Sequence, residues 1–214
     1  MIVMSPKRLG TTPIDAEEKS DAELMADVAD GDHGAFTALM SRYKSPLFRF
    51  ILRYAGSRAD AEDLLQDAFV SVYAKASSYD PAWKASTWIY RIALNKCRDH
   101  GRKQRLRKIF SLDRNFGADD GPLFPEPADF GPDVESIVAH RQELQHLSDA
   151  IDRLPHNMRS ALVLHSIEGR SQNECSEILG ISRKSVEMLI YRARKTLRDQ
   201  LGPHIASDDA APDE

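Results

Sequence analysis

The chain has 214 residues, of which 42% are hydrophobic and 29% charged, and its formal net charge is −4. These values are normal for a soluble globular protein with one ordinary domain or two small ones. No segment approaches the roughly 18 apolar residues of a membrane span, and no apolar run of a secretory signal follows Lys7 and Arg8. We therefore expect a cytoplasmic protein without membrane insertion. Cys97 and Cys175 lie far apart in the sequence and predict no disulfide framework.

Charge is unevenly distributed along the chain. Residues 91–108 contain eight Lys or Arg and one acid, and residues 183–198 contain six Lys or Arg and one acid. Between Arg114 and Arg141 there is no Lys or Arg, although acidic residues recur there. Two basic segments within an acidic whole indicate that the chain binds a polyanion at two separate places.

Helical periodicity dominates, so we predict an all-α fold of two small helical domains. The first is predicted over residues 21–108, with about four helices, and the second over residues 134–201. Residues 109–133 are rich in Gly, Pro and acids, which predicts a flexible acidic linker. Residues 1–20 are predicted to be a disordered tail and residues 202–214 an acidic tail.

The predicted helix around Ala59–Tyr73 has two different faces. One face is apolar and predicts a core stripe of Leu64, Leu65, Ala68, Phe69 and Val72. The other face carries Asp63, Gln66, Asp67 and Val70, a set that suits docking to a basic protein surface. An ordinary solvated helix face is the alternative interpretation.

Four aromatic residues precede or interrupt the first basic segment. Trp88, together with Ile89 and Ile92, is predicted to lie in the core, whereas Tyr79, Trp83 and Tyr90 are predicted to be partly exposed. The polar residues that follow are Asn95, Lys96, Arg98 and Arg102. Flat rings beside cations are what single-stranded nucleic acid binding requires. In the alternative interpretation all the rings are core and the basic run only solubilises the helix end.

The second basic segment contains a helix-turn-helix pattern. Ser171 and Glu174 form a capping box, Gly180 ends a short helix, and Ser182 caps the next one. That second helix has a predicted buried stripe of Val186, Leu189, Ile190, Ala193 and Leu197. The residues predicted to meet base edges and phosphates in a major groove are Arg183, Lys184, Ser185, Glu187, Met188, Tyr191 and Arg192. A basic face on an ordinary helical hairpin is the alternative.

Four ordered motifs together resemble the extracytoplasmic-function (ECF) sigma factors of bacterial RNA polymerase. They are Gly31–Phe36, Asp60–Phe69, Thr87–Asn95, and Leu154–Arg159 followed by the helix-turn-helix. The resemblance covers about residues 21–201. It implies a transcription initiation factor with a region 2 domain followed by a region 4 domain.

The resemblance also implies roles for each segment. The Asp60–Phe69 helix would bind the clamp helices of the largest subunit of core RNA polymerase. Residues 79–102 would open and read the −10 promoter element, and the helix-turn-helix would read the −35 element as duplex DNA. The linker would thread through the polymerase. An anti-sigma factor and a stress or envelope-response regulon are further expectations from the resemblance.

Two functions other than a sigma factor would explain part of the sequence pattern. A sigma-like decoy or adaptor would sequester an anti-sigma factor without touching DNA, but such a protein can lose its basic recognition face, and this chain retains one. A conventional helix-turn-helix regulator would leave the acidic docking helix and the first basic segment unexplained. No motif predicts an enzyme, a cofactor or a metal site. We interpret the spacing of Cys97 and His100 as accidental and Cys175 as a small hydrophobe, with a redox role as its less favoured alternative.

Overall fold

The computed structural model describes residues 19–55, 57–110 and 134–202. All regular structure in these ranges is helical, which confirms the all-α fold. In chain order the helices are α1 (Asp21–Ala29), α2 (His33–Ala55), α3 (Arg58–Lys75), α4 (Ala85–Phe110), α5 (Val134–Arg153), α6 (His156–Leu162), α7 (Gln172–Leu179) and α8 (Arg183–Leu201). None of them is both long enough and apolar enough to cross a bilayer. The predicted linker from residue 111 and the tails at 1–18 and 203–214 lie outside the described residues.

Helix α1 is fixed at its start by side-chain hydrogen bonds. The Ser20 hydroxyl accepts from the Glu23 N–H, and the Glu23 carboxylate accepts from the Ser20 N–H at 2.8 Å. Asp21 then ties α1 to α2, accepting hydrogen bonds from Arg42 at 2.7 Å and from the Tyr43 hydroxyl. Contacts of the first domain therefore begin two residues earlier than predicted, because Lys19 also pairs with Asp27.

Helices α1 to α4 pack around one apolar core. Its fully buried members include Leu24 and Met25 from α1, Leu47 and Phe50 from α2, and Leu94 from α4. All five residues of the predicted α3 core stripe are buried as well. Helix α4 continues to Phe110, two residues past the predicted end of the domain.

The second domain consists of α5 to α8. Helix α6 continues through a π-helical turn at Val163–Ile167, which ends at Glu168. A small core of Ala150, Leu154, Leu162, Ala193 and Leu197 holds α5, α6 and α8 together. This places α7 and α8, the predicted helix-turn-helix, on a compact support.

Besides the small core of α5, α6 and α8, the core of the first domain continues across the boundary into the second domain. Cys175, Ile178 and Leu179 of α7 belong to the same continuous buried cluster as Tyr90 and Leu94 of α4. Two small domains joined by a linker are expected to sample many arrangements or to close on each other through weak, polar contacts. Apolar burial across the boundary adds the main driving force for association, so the closed arrangement is more than an electrostatic encounter.

Candidate polymerase and DNA interfaces

The predicted docking face of α3 is exposed along its whole length. Asp63, Gln66, Asp67 and Val70 all point away from the buried stripe, and the isopropyl group of Val70 is the most unusual, at 60% exposure. Ser57 caps the helix by accepting from the Asp60 N–H at 3.1 Å, which fixes where the helix begins and hence which face turns outward. We name Asp63, Gln66, Asp67 and Val70 the docking patch.

An apolar groove adjoins the docking patch between α2 and α3. Its volume is about 810 Å³, and Gln66 and Val70 of the docking patch lie on its wall. The apolar lining also includes Phe36, Met40, Phe48, Phe69 and Tyr73. Sequence reasoning missed this groove, although Phe36, Met40 and Phe48 recur at helical spacing on α2. Their spacing predicts one apolar face of α2, but the opposite wall of the groove comes from α3. The groove could therefore be found only from the packing of the two helices.

The segment before α4 presents one free aromatic ring. Trp83 is 46% exposed. Tyr79 is half-buried, its hydroxyl donates to the Trp83 carbonyl at 2.6 Å, and its ring meets Trp88 edge-on at 5.6 Å between centroids. Tyr79 therefore stabilises the loop that carries Trp83, and the Trp83 ring is the flat aromatic surface that solvent can reach.

Tyr90 was predicted to be partly exposed, and that prediction is wrong. Its side chain is 1% exposed and packs against Phe50 with ring centroids 5.2 Å apart. The second domain covers the remaining side, with the Arg170 guanidinium 4.3 Å from the ring centroid. The helix periodicity of α4 alone could not show this, because the covering residue lies eighty positions further along the chain.

The four polar residues predicted on α4 all have partners, on α4 itself, on α3 or in the second domain. Asn95 and Arg102 are exposed, although Arg102 lies 3.2 Å from Asp99. Lys96 Nζ lies 4.0 Å from Asp67 of the docking patch. Arg98 Nε donates to His156 of the second domain at 3.2 Å. All four predicted residues therefore lie on α4, but they differ in exposure and in how strongly other side chains engage them.

The helix-turn-helix has the predicted geometry. Ser171 and Glu174 form both hydrogen bonds of the capping box, and Ser182 accepts from the Ser185 N–H at 3.2 Å. Gly180 between them has φ of +67°, the left-handed conformation in which glycine is favoured. This cap, glycine and cap arrangement fixes the angle at which α8 leaves α7.

Helix α8 presents its polar face to solvent. Every predicted DNA-contacting residue on it is exposed, and Tyr191 is 64% exposed. Arg183 Nε donates to Gln172 at 3.1 Å and to Glu187 at 3.2 Å, so the guanidinium is held at the start of the helix. An orientated guanidinium at that position is suited to a base edge or a phosphate.

The two thiols lie in the interior. Burial raises the pKa of Cys97 to about 12 and that of Cys175 to about 11. Thiols with such pKa values are poor nucleophiles at neutral pH. Among the described residues there is no cluster of three or more His, Cys, Asp or Glu side chains that could hold a metal ion.

Two family descriptions match this chain, one in each helical domain. Sigma-70 region 2 matches residues 39–107, and sigma-70 region 4 matches residues 144–197. The matches cover the docking patch and most of α4, of the helix-turn-helix and of both cores. They define the class as sigma factors, which are transcription initiation factors rather than an enzyme class.

Proteins that are similar to this chain over most of its length identify the type of sigma factor to which it belongs. The RNA polymerase sigma factor CnrH of Cupriavidus metallidurans is 34% identical over 84% of this chain and 93% of its own length. The ECF RNA polymerase sigma factor SigW of Bacillus subtilis is 33% identical over 81% of this chain and 92% of its own. The chain belongs to the ECF-type RNA polymerase sigma factors.

Solved structures are similar to both domains. The structure of CnrH in complex with the cytosolic domain of CnrY has a TM-score of 0.62 and 29% identity, and covers 86% of this chain and 97% of CnrH. The sigma factor RpoE, in complex with the anti-sigma factor NepR from Bartonella quintana, has a TM-score of 0.59 and 23% identity over 78% of this chain and 96% of its own. The second likeness shows the fold alone.

Proposed function

We propose that this sigma factor binds core RNA polymerase through the docking patch, reads the −10 element with the Trp83 loop and α4, and reads the −35 element with α8. The observation that carries the proposal is the placement of three chemically different faces on one chain. An acidic and apolar face lies on α3, an aromatic and basic one at α4, and a basic one on α8. The first suits a basic protein surface, and the other two suit DNA.

The docking patch combines charge with exposed apolar surface. Asp63 and Asp67 would steer a basic helical surface of the polymerase toward α3, and charge complementarity of this kind sets association rate and orientation. Val70 and the adjoining groove would then bury apolar area, which supplies affinity. Lys96 beside Asp67 partly neutralises that carboxylate, so Asp63 is expected to contribute the larger electrostatic effect.

A charge-reversal experiment tests this docking role. The variant Asp63→Lys/Asp67→Lys should bind core polymerase at least ten-fold more weakly than the unmodified chain, because two attractions become repulsions. Both residues are exposed, so the helical content and unfolding midpoint should change little. The matched control is Asp30→Lys/Asp199→Lys, which makes the same charge change at exposed positions outside the docking patch. Equal affinity of the two double variants would contradict the role.

The single-stranded −10 element would be held by stacking and by backbone neutralisation. Trp83 supplies the exposed ring, with Tyr79 bracing its loop. Asn95, Lys96, Arg98 and Arg102 supply donors and positive charge along α4. Stacking of one base on an aromatic ring is worth about 1–3 kcal/mol, so Trp83 is expected to be the largest single contributor.

Duplex reading at the −35 element would use the start of α8. Arg183, Lys184 and Ser185 lie in its first turn, where a recognition helix meets base edges. Glu187 and Met188 lie one turn further on, with Tyr191 and Arg192 beyond them. Arginine suits guanine and glutamate suits cytosine, whereas lysine serves a phosphate as a point charge.

The proposal extends to the cellular setting. We propose a cytoplasmic protein, held by an anti-sigma factor and directing transcription of a stress or envelope-response regulon. The CnrH structure, with the cytosolic domain of CnrY bound, supports a protein partner for a similar sigma factor. The exposed cationic face of α8 argues against the decoy alternative, which needs no such face.

A further inference from the structure

The second half of α8 carries a cluster of cations. Residues 188–201 contain four Lys or Arg and one acid. The four cations are exposed, and we name them the α8 cation cluster: Arg192, Arg194, Lys195 and Arg198. Arg194 lies about three helical turns beyond Arg183, so the cluster continues the polar face on which the proposed DNA contacts lie.

Most of this cluster has no acidic partner. Within the described ranges, Arg192, Arg194 and Lys195 form no ion pair. The cations of α4 differ in this respect, since Lys96 lies 4.0 Å and Arg102 lies 3.2 Å from a carboxylate oxygen. The second half of α8 therefore presents positive charge that neighbouring side chains leave unneutralised.

The cluster borders a hollow in the surface of the second domain. The hollow has a volume of about 440 Å³, and Arg194, Lys195 and Arg198 all line it. Its lining also includes the Tyr191 ring and two carboxylates. Three cations outweigh two acids, so the hollow suits an acidic segment with small side chains.

The chain itself carries such a segment directly after α8. Residues 203–214 contain no Lys or Arg, and their acids are Asp208, Asp209, Asp213 and Glu214. Helix α8 ends at Leu201, and Gly202 has φ of +69°, a value that an α-helix does not contain. The chain therefore changes direction at Gly202 instead of prolonging α8 away from the cation cluster.

The acidic segment is long enough to return to the cluster. Asp208 lies six positions beyond Gly202, and an extended chain of that length spans about 20 Å. Arg194 lies only about 12 Å from Gly202 along the helix, at about 1.5 Å per residue. Covalent attachment also gives the acids an effective concentration of the order of millimolar at the cluster, so weak ion pairs are sufficient.

We propose that residues 203–214 bind the α8 cation cluster in the free protein and compete there with DNA phosphates. The competition rests on the DNA role proposed above for α8, whereas the binding of the segment does not. The segment lowers affinity for all DNA sequences alike, because the cluster lies beyond the first turn of α8, where phosphate contacts are expected. It also flattens the salt dependence of DNA binding, because salt weakens its own ion pairs too.

Paramagnetic broadening of amide signals tests the binding without DNA. A nitroxide is attached to Ala211→Cys in the full-length chain, since both natural thiols are buried and have raised pKa values. The label should broaden the signals of residues 192–198 at about 0.05 M salt, and they should recover at about 1 M salt, where charges are screened within about 3 Å. The tail variant Asp208→Asn/Asp209→Asn/Asp213→Asn should show the recovered signals at low salt.

Two results would overturn the binding. One is broadening of residues 192–198 that is the same at both salt concentrations and in the tail variant, because proximity along the chain alone would then explain it. The other is salt-sensitive broadening of α4 in place of α8, because the segment would then bind the other basic surface.

Binding of a fluorescent DNA duplex without promoter elements tests the competition. The tail variant should bind this duplex several-fold more tightly than the natural chain at low salt, with a steeper salt dependence. The matched control Asp30→Asn/Glu62→Gln/Asp80→Asn removes the same charge at exposed positions of the first domain and should tighten binding much less. In a chain that carries Arg194→Gln/Lys195→Gln, the tail variant should tighten binding no more than the control does.

Equal tightening by the tail variant and its control would overturn the competition. Tightening by the tail variant that persists in Arg194→Gln/Lys195→Gln would overturn it as well. If Arg194→Gln/Lys195→Gln left duplex binding of the tail variant unchanged, the DNA role proposed for α8 would be contradicted. The nitroxide measurement contains no DNA, so that failure is distinguished from a failure of the segment to bind.

Discussion

At the scale of single residues, Glu174 has two tasks. Its carboxylate closes the capping box of α7 through Ser171 and also pairs with Lys84 of the first domain. The hydrogen bond with Lys84 is the largest effect, and with those from Ser171 it lowers the pKa of Glu174 from 4.5 to about 2. One side chain thus couples the start of the helix-turn-helix to the contact between domains.

This pKa predicts a specific pH dependence of stability. A lowered pKa in the folded state means that the ionised carboxylate stabilises fully above pH 4.5, and that this contribution is lost as the pH falls toward about 2. The free energy of unfolding of the natural chain should therefore fall more steeply across that window than that of Glu174→Gln. Urea unfolding at a series of pH values measures both slopes. Parallel slopes would contradict the assignment.

Arg183 supports a prediction about base choice. Its guanidinium is held at the start of α8 by Gln172 and Glu187. Loss of one bidentate contact to guanine costs about 1–3 kcal/mol of discrimination, so Arg183→Ala should relax preference at one base pair of the −35 element. Selection from a randomised promoter library by the reconstituted holoenzyme measures this preference.

Lys195 provides the control for that selection. It lies exposed three turns further along α8, where a phosphate contact is expected. Lys195→Ala should weaken binding to all DNA sequences alike and reduce the salt dependence of that binding. If Arg183→Ala gave the same uniform loss, Arg183 would be a phosphate contact instead.

At the scale of helices, the turn at Gly180 sets the angle between α7 and α8. Its φ of +67° is unfavourable for any residue with a β-carbon, whereas space is available, since a β-carbon there would meet only Arg91 Nη2 at 3.8 Å. Gly180→Ala should therefore destabilise the chain by about 1 kcal/mol through backbone strain rather than collision.

Gly101 is the matched control for this turn. It lies inside α4 with ordinary helical backbone, and a β-carbon there would have nothing within 4 Å. Gly101→Ala should stabilise the chain by about 0.5–1 kcal/mol, because glycine costs more entropy on helix formation. Chemical denaturation of both variants measures whether the free energy of unfolding falls in Gly180→Ala and rises in Gly101→Ala. A gain of stability in Gly180→Ala, as in Gly101→Ala, would contradict the role given to the left-handed backbone at Gly180.

Much of the helical architecture was readable from the sequence because its signals are local. The caps at Ser171 and Ser182 and the glycine at 180 all carry short-range hydrogen bonds or backbone preferences. The exposed face of α3 followed from periodicity alone. These features do not depend on where the two domains lie.

What could not be predicted depends on packing between distant segments. Tyr90 carries no local sign that Glu168 and Arg170 will cover it. The groove beside the docking patch needs walls from two helices. The pairing of Arg53 with Glu168 joins residues over a hundred positions apart, and many other acids in the sequence were equally plausible partners.

At the scale of the whole molecule, closure and function require different arrangements. If the two domains bind the −10 and −35 elements as proposed, they must be apart when both elements are bound, because these elements are separated along the DNA. Polymerase can favour the open arrangement only by binding it more tightly than the closed one. The docking patch lies on α3, away from the contacts of Glu168 and Arg170 with the first domain, so polymerase can engage it before the domains separate. The cost of opening then lowers the apparent affinity for polymerase and for DNA.

Run-off transcription with purified core polymerase, this chain and a collection of genomic promoter fragments tests the proposed function most directly. We expect discrete transcripts that depend on the chain, are lost with Asp63→Lys/Asp67→Lys, and persist with Asp30→Lys/Asp199→Lys. Trp83→Ala should reduce the yield at every promoter, whereas Arg183→Ala should change which promoters are used. Absence of any chain-dependent transcript, with core polymerase bound normally, would contradict the account and favour a decoy.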